Sequence, residues 1–113
     1  MALAAVAILA GCGGGPVQPA GSIKVTMTEF QFAPSTIGAP AGKVVFFLVN
    51  SGTTSHNLII RDSSNRRISS SSLVSAGDSS VFTVDNIAAG TYTIFCDQQG
   101  HEASGMKGTL TIT

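Results

Sequence analysis

The feature that most constrains the fold is a series of short apolar segments, each ended by turn residues. In the first segment, Ile23, Val25 and Met27 alternate with polar residues, which is the period-2 pattern of a half-buried strand. Residues 44–49 form a continuous apolar run, which is typical of a deeply buried strand. Further strands are expected at residues 56–61, 79–84, 91–96 and 107–113. No segment has a helical period, so the chain is predicted to be all-β, a two-sheet Greek-key β-sandwich of about seven to eight strands.

Turn signals separate these segments and indicate the loops. Residues 33–35 (Ala-Pro-Ser) and 39–42 (Ala-Pro-Ala-Gly) are predicted turns, because proline and glycine punctuate regular structure. Phe30 and Phe32 are expected to extend the first strand. Residues 63–72 contain an arginine pair and four consecutive serines, so this polar stretch is predicted to be a surface loop.

The N-terminal residues look like a processing signal rather than part of the fold. Residues 3–10 form an apolar run that is shorter than the roughly 20 residues of a membrane-spanning helix. The run ends in Leu-Ala-Gly-Cys, which resembles a bacterial lipobox and implies cleavage before Cys12 and acylation of its thiol. We therefore predict a signal peptide at 1–11, acylated Cys12 with a flexible linker over 12–21, and a folded domain over 22–113. The alternative is a core strand or helix followed by a linker.

Charge excludes several classes of partner. Six Lys and Arg residues balance six Asp and Glu residues, so the formal net charge is zero. Nucleic-acid binding needs a clustered basic excess, and a polybasic membrane patch needs the same, so the zero net charge argues against both.

The cysteine count limits the disulfides. Two cysteines cannot build a disulfide-rich scaffold, and Cys12 cannot pair with Cys96 if it carries lipid.

Three potential metal ligands stand at equal spacings near the end of the chain, namely Cys96, His101 and Met106. An offset of five residues turns about 140° on a helix and changes face on a strand, so neither element could aim all three at one point. A loop between two strands could do so. Gly100 and Gly105 precede two of these residues, where the backbone can need dihedral angles closed to other residues.

The chain has only two histidines, and the second candidate, His56, starts a predicted strand. A sandwich can bring that strand end beside a loop forty residues later. Two imidazoles, one thiolate and one thioether form the donor set of a blue-copper electron-transfer centre. Structural zinc sites use Cys and His without Met. Taken singly, each residue could be structural, and a Cys96 nucleophile with His101 as base would leave Met106 and His56 without a role.

The sequence resembles the cupredoxins, and most of all the small bacterial proteins of the plastocyanin and azurin type. The resemblance rests on residues 90–96 (Gly-Thr-Tyr-Thr-Ile-Phe-Cys), the Gly-His and Gly-Met pairs, residues 107–110 (Lys-Gly-Thr-Leu) and the upstream His-Asn pair. It implies one copper ion with His56, Cys96 and His101 as equatorial ligands and Met106 as axial ligand. It also implies that Asn57 ties the first histidine to the cysteine loop by side-chain hydrogen bonds. Many relatives have proline where this chain has Gln99.

The resemblance implies a monomeric electron carrier and not an enzyme. The chain would shuttle single electrons outside the cytoplasm while anchored to a bacterial membrane by lipid on Cys12. Redox proteins would dock transiently on an apolar surface around His101, with Ala103 and Met106 near its middle. Glu102, next to His101, is a possible alternative ligand that would bind the copper through a carboxylate oxygen. Two other functions remain open, a lipoprotein that carries or sequesters copper and a metal-free β-sandwich interaction module.

Overall fold

The computed structural model describes residues 16–113, so the predicted signal peptide 1–11 and acylated Cys12 lie outside the described residues. Residues 16–21, the described part of the predicted linker, contain no strand. Residues 16–113 contain no helix, and hence none that could span a membrane. They form nine strands: β1 (Ile23–Thr28), β2 (Gln31–Ala33), β3 (Thr36–Ala39), β4 (Gly42–Asn50), β5 (Ile59–Arg61), β6 (Arg67–Ser70), β7 (Ser79–Ile87), β8 (Gly90–Phe95) and β9 (Lys107–Ile112).

The strands form two mixed sheets. One sheet has the order β2-β1-β4-β7, and the other has the order β3-β9-β8-β5-β6. Strands β1 and β4 pair in parallel, as do β3 and β9, and the remaining pairs within the sheets are antiparallel. The predicted all-β, two-sheet fold is therefore confirmed, with nine strands in the described residues instead of seven to eight.

The apolar faces of the two sheets form one core. Val25 and Met27 of β1 are fully buried, as the alternating pattern predicts, and so are Phe46 and Leu48 of β4. The Phe46 ring stacks on Phe82 of β7 with 5.7 Å between ring centroids. This stack joins two neighbouring strands of the four-stranded sheet, and removing a buried phenylalanine side chain typically costs about 3–5 kcal/mol.

The first predicted strand ends earlier than expected. Phe30 and Phe32 do not extend β1, because a turn at residues 29–30 reverses the chain into β2. Phe32 then lies opposite Met27 in an antiparallel pair. The buried positions change from odd numbers, Val25 and Met27, to an even number at Phe32, and this break in the alternation marks the turn. This turn places residue 29 at the end of the sheet.

Two short strands were not predicted, one between the two predicted turns and one inside the predicted surface loop. Strand β3 has one buried hydrophobic residue, Ile37, and is held by parallel pairing with β9. Strand β6 lies inside the predicted surface loop 63–72, and its polar residues suit an exposed edge strand. The predicted strand at 56–61 begins only at Ile59, because His56 pairs with Val74 in an isolated bridge.

Candidate metal centre

A loop between neighbouring strands positions three of the four predicted ligands. Cys96 follows β8 directly and Met106 immediately precedes β9. The backbone N–H of Cys96 donates to the carbonyl of Met106 at 3.2 Å, which closes the loop at its base. Gly100 and Gly105 have φ angles of 82° and 113°, which strongly favour glycine. The loop therefore curls back on itself in the way that the sequence predicts.

The fourth residue, His56, arrives from the connection between β4 and β5. Its backbone N–H donates to the carbonyl of Val74 at 3.1 Å, and the N–H of Val74 donates back at 2.8 Å. The buried amide of Asn50 donates to the carbonyl oxygens of Thr54 and Val74, each at 2.8 Å. These bonds fix the backbone on both sides of His56, although it belongs to no regular strand.

The three strongest donor atoms converge at one point. Cys96 Sγ lies 3.5 Å from Nδ1 of His101 and 3.9 Å from Nδ1 of His56. All three donor atoms lie within 4.8 Å of one another. One ion bonded at about 2.0–2.1 Å to nitrogen and about 2.3 Å to sulfur requires nitrogen–sulfur separations of roughly 3.6–3.9 Å at angles near 110–130°. The spacing therefore fits a single first-row metal ion.

Burial distinguishes His101 from the other donors. His56, Cys96 and Met106 have no exposed surface, whereas His101 is partly exposed. Met106 belongs to the same buried cluster as Cys96, and its carbonyl accepts the backbone N–H of Cys96. Its burial corrects one expectation: Met106 cannot lie in the middle of a docking surface, although Ala103 is exposed as predicted.

Comparison with known proteins agrees with this geometry. The family model described as a cupredoxin-like domain matches residues 1–112. The chain belongs to the cupredoxin family. No curated protein sequence shows significant similarity to it. In this cupredoxin, the donor set of two histidines, one cysteine and one methionine is the set that suits one type 1 copper ion.

Solved structures share the fold of this cupredoxin. Auracyanin B superposes with a TM-score of 0.74 at 24% identity, covering 91% of this chain and 96% of its own. Auracyanin A from Chloroflexus aurantiacus gives a TM-score of 0.72 at 21% identity, covering 81% and 98%. Plastocyanin from Dryopteris crassirhizoma gives a TM-score of 0.60 at 27% identity, covering 80% and 99%.

Asn57 makes the hydrogen bonds that the resemblance implied for it. Its side-chain amide donates to the Asp97 carboxylate at 2.7 Å, and its carbonyl oxygen accepts the backbone N–H of Asp97 at 3.0 Å. The bond from Asn57, followed by one from Arg67, lowers the pKa of the Asp97 carboxyl below its usual range. Asn57 thus joins the segment that carries one histidine to the start of the cysteine loop.

Two carboxylates lie near the histidines, and they bond different partners. Glu102, the proposed alternative ligand, forms an ion pair with Arg61 and is not among the three converging donors. Glu29 instead accepts a hydrogen bond from Nε2 of His56 at 2.8 Å. Partial desolvation raises the pKa of Glu29, but hydrogen bonds from Thr54, His56 and Thr53 together lower it to about 2.

Sequence reasoning missed Glu29. The residue precedes His56 by 27 positions and stands in a stretch that was predicted to continue β1. Only the turn after β1 brings its side chain to the loop before His56. The change of the apolar positions from odd to even after Met27 was a signal of this turn, but it did not indicate which side chain the turn would bring to His56.

Proposed function

We propose that this cupredoxin is a mononuclear type 1 copper protein that carries single electrons between redox partners outside the cytoplasm. The observation that carries the proposal is the convergence of His56, Cys96 and His101 within 4.8 Å of one another. Met106, buried in the same cluster, is the fourth proposed ligand. Auracyanin A, which shares the fold, is named a "blue" copper protein, and this supports the proposal.

Copper, when bound, supplies one-electron chemistry by alternating between Cu(I) and Cu(II). The residues supply a fixed set of donors: the Cys96 thiolate and two imidazole nitrogens, with the Met106 thioether as the weak axial donor. Burial of three of these side chains excludes water from the centre. Catalytic metal sites keep one coordination position open for a substrate, whereas this set fills four. We infer a carrier and not an enzyme.

The partly exposed ring of His101 is the part of the site that a partner can approach. Phe30 is 40% exposed, and its ring meets the His101 ring edge-on with 5.0 Å between centroids. Together with exposed Ala103, it offers an apolar surface on which redox proteins would dock transiently with a monomeric carrier. The net charge is zero, so association rates should depend weakly on salt.

The tether to a bacterial membrane is the second part of the proposal. Its support is the Leu-Ala-Gly-Cys motif that ends at Cys12, followed by residues rich in glycine and proline. Expression in a bacterium should give a protein whose mature N-terminus, measured by mass spectrometry, is an acylated Cys12. The Cys12→Ser variant should lose the membrane fraction. Equal membrane retention of both proteins would contradict the tether.

The test of the copper centre is a visible absorption spectrum after addition of one equivalent of Cu(II). An intense thiolate-to-copper band, bleached by a mild reductant and restored by an oxidant, is expected. The chain has two cysteines, which provide a matched pair of variants: Cys96→Ser should abolish the band and Cys12→Ser should retain it. Copper bound without the band would favour a copper carrier or sequestration protein, and no binding would favour a metal-free interaction module.

A further inference from the structure

The buried histidine has a carboxylate partner on the side of the ring that faces away from the cysteine. His56 has no exposed surface, and its Nε2 lies 2.8 Å from Oε2 of Glu29. The opposite nitrogen, Nδ1, lies 3.9 Å from Sγ of Cys96. A carboxylate accepts a hydrogen bond, so Nε2 carries the proton of the neutral ring. Nδ1 is then the unprotonated nitrogen that can bind a metal.

The Glu29 carboxylate is itself held in place by the loop before His56. Oε2 accepts the backbone N–H groups of Thr53 at 2.9 Å and Thr54 at 3.0 Å, and the Thr54 hydroxyl at 3.0 Å. The Thr53 hydroxyl bonds the other oxygen at 3.3 Å. A Cβ at Gly52 would overlap the carboxylate, so glycine leaves the space that Glu29 occupies. Four loop donors and one imidazole therefore define the position of this side chain.

The two histidines differ in whether a carboxylate bonds the ring. Among residues 16–113, no carboxylate bonds the ring of His101, whose neighbours are the Cys96 thiol and the rings of Phe30 and His56. Glu102 is adjacent in sequence but pairs with Arg61. One proposed ligand thus has a fixed negative charge at its far nitrogen, and the other has none. The Glu29 side chain is 25% exposed, so solvent screens part of this charge.

We propose that Glu29 is a positioning residue for His56, which fixes the tautomer and direction of its ring and lowers the reduction potential of the centre. The inference rests on the proposed copper function. Partners of this kind raise the basicity of a ligating imidazole and orient it. The carboxylate charge stabilises the more highly charged Cu(II) state over Cu(I), and this preference lowers the potential.

The test compares Glu29→Gln, Glu29→Ala and the control Glu102→Gln. Glu29→Gln keeps the shape of the side chain and removes its charge, so the potential should rise, by about 59 mV for each tenfold loss in preference for Cu(II). Glu29→Ala should lower copper affinity about 10–100-fold, as is typical when the partner of a ligating histidine is lost. Glu102→Gln should leave both quantities unchanged. A Glu29→Gln potential within the range of the control would overturn the tuning role.

A measurement on the metal-free protein separates this inference from the proposed function. Nitrogen-15 NMR of the His56 ring should show a single Nε2-protonated tautomer in the wild type. Glu29→Ala should give a mixture of the two tautomers. An unchanged tautomer in that variant would overturn the positioning role. Absence of the blue copper band from the wild type would instead contradict the proposed function, with the tautomer result still interpretable.

Discussion

Replacing Asn57 with alanine is expected to lower the free energy of unfolding of the metal-free protein by about 2–3 kcal/mol. The variant loses a 2.7 Å bond to the Asp97 carboxylate and a 3.0 Å bond from the Asp97 backbone. A hydrogen bond to a charged group contributes about 1.5–3 kcal/mol, and a neutral bond about 0.5–1.5 kcal/mol. Arg67 and Gln98 still bond the carboxylate in the variant, which reduces the first contribution.

Thermal unfolding followed by circular dichroism measures this loss. For a domain of this size, 1 kcal/mol corresponds to a shift in Tm of about 4–8 °C, so Asn57→Ala should lower Tm by roughly 10–20 °C. Asn86→Ala is the matched control, because Asn86 is exposed on β7 and surface substitutions usually stay within about 0.5 kcal/mol. A Tm for Asn57→Ala within a few degrees of the control would refute the reasoning.

A double-mutant cycle tests whether the loss belongs to this pair of residues. Asp97→Ala and the double variant Asn57→Ala/Asp97→Ala complete the cycle. Residues in direct hydrogen-bond contact usually show coupling of about 0.5–3 kcal/mol. Strictly additive effects would show that Asn57 stabilises the protein in some way other than its bonds to Asp97.

Three further predictions concern the metal. Met106→Leu is expected to keep copper but raise the reduction potential, because an axial donor that favours Cu(II) is lost; an unchanged potential in cyclic voltammetry would remove Met106 from the ligand set. His56→Ala is expected to weaken copper binding far more than Glu102→Ala in a competition titration, and equal losses would reopen the assignment. Copper at about 1,000 times its Kd should stabilise the native state by about 4 kcal/mol, seen as a higher Tm. Cys96→Ser should lose most of that increase, and a wild-type Tm that copper does not change would contradict a copper site that forms in the native state.

Local patterns predicted the parts of the fold that local residues determine. The alternation around Val25 and Met27 predicted strand β1, and the apolar run around Phe46 predicted β4. Both predictions rest on the tendency of apolar residue types to be buried. The convergence of Cys96 and His101 could be inferred because both stand on one loop, closed by two adjacent strands. In each case the determining residues lie close together in sequence.

Features that depend on distant pairing were not predictable in the same way. Strand β3 has a single buried hydrophobic residue and exists because it pairs with β9, about 70 residues further along the chain. Strand β6 is polar and forms only as the edge partner of β5. The contact between Glu29 and His56 joins residues 27 positions apart and depends on the turn between β1 and β2.

The centre draws its donors from both sheets, and this explains how a small domain can hold them apart at a fixed spacing. Cys96 and Met106 stand at the ends of β8 and β9 in the five-stranded sheet. Glu29 follows β1 in the four-stranded sheet, and His56 lies on the connection that leaves that sheet after β4. The 3.9 Å separation of Cys96 Sγ and His56 Nδ1 is therefore set by the packing of one sheet on the other. Close-packed cores resist deformation, so the donors would keep their places in either oxidation state of a bound copper ion, and little reorganisation would oppose the transfer of an electron.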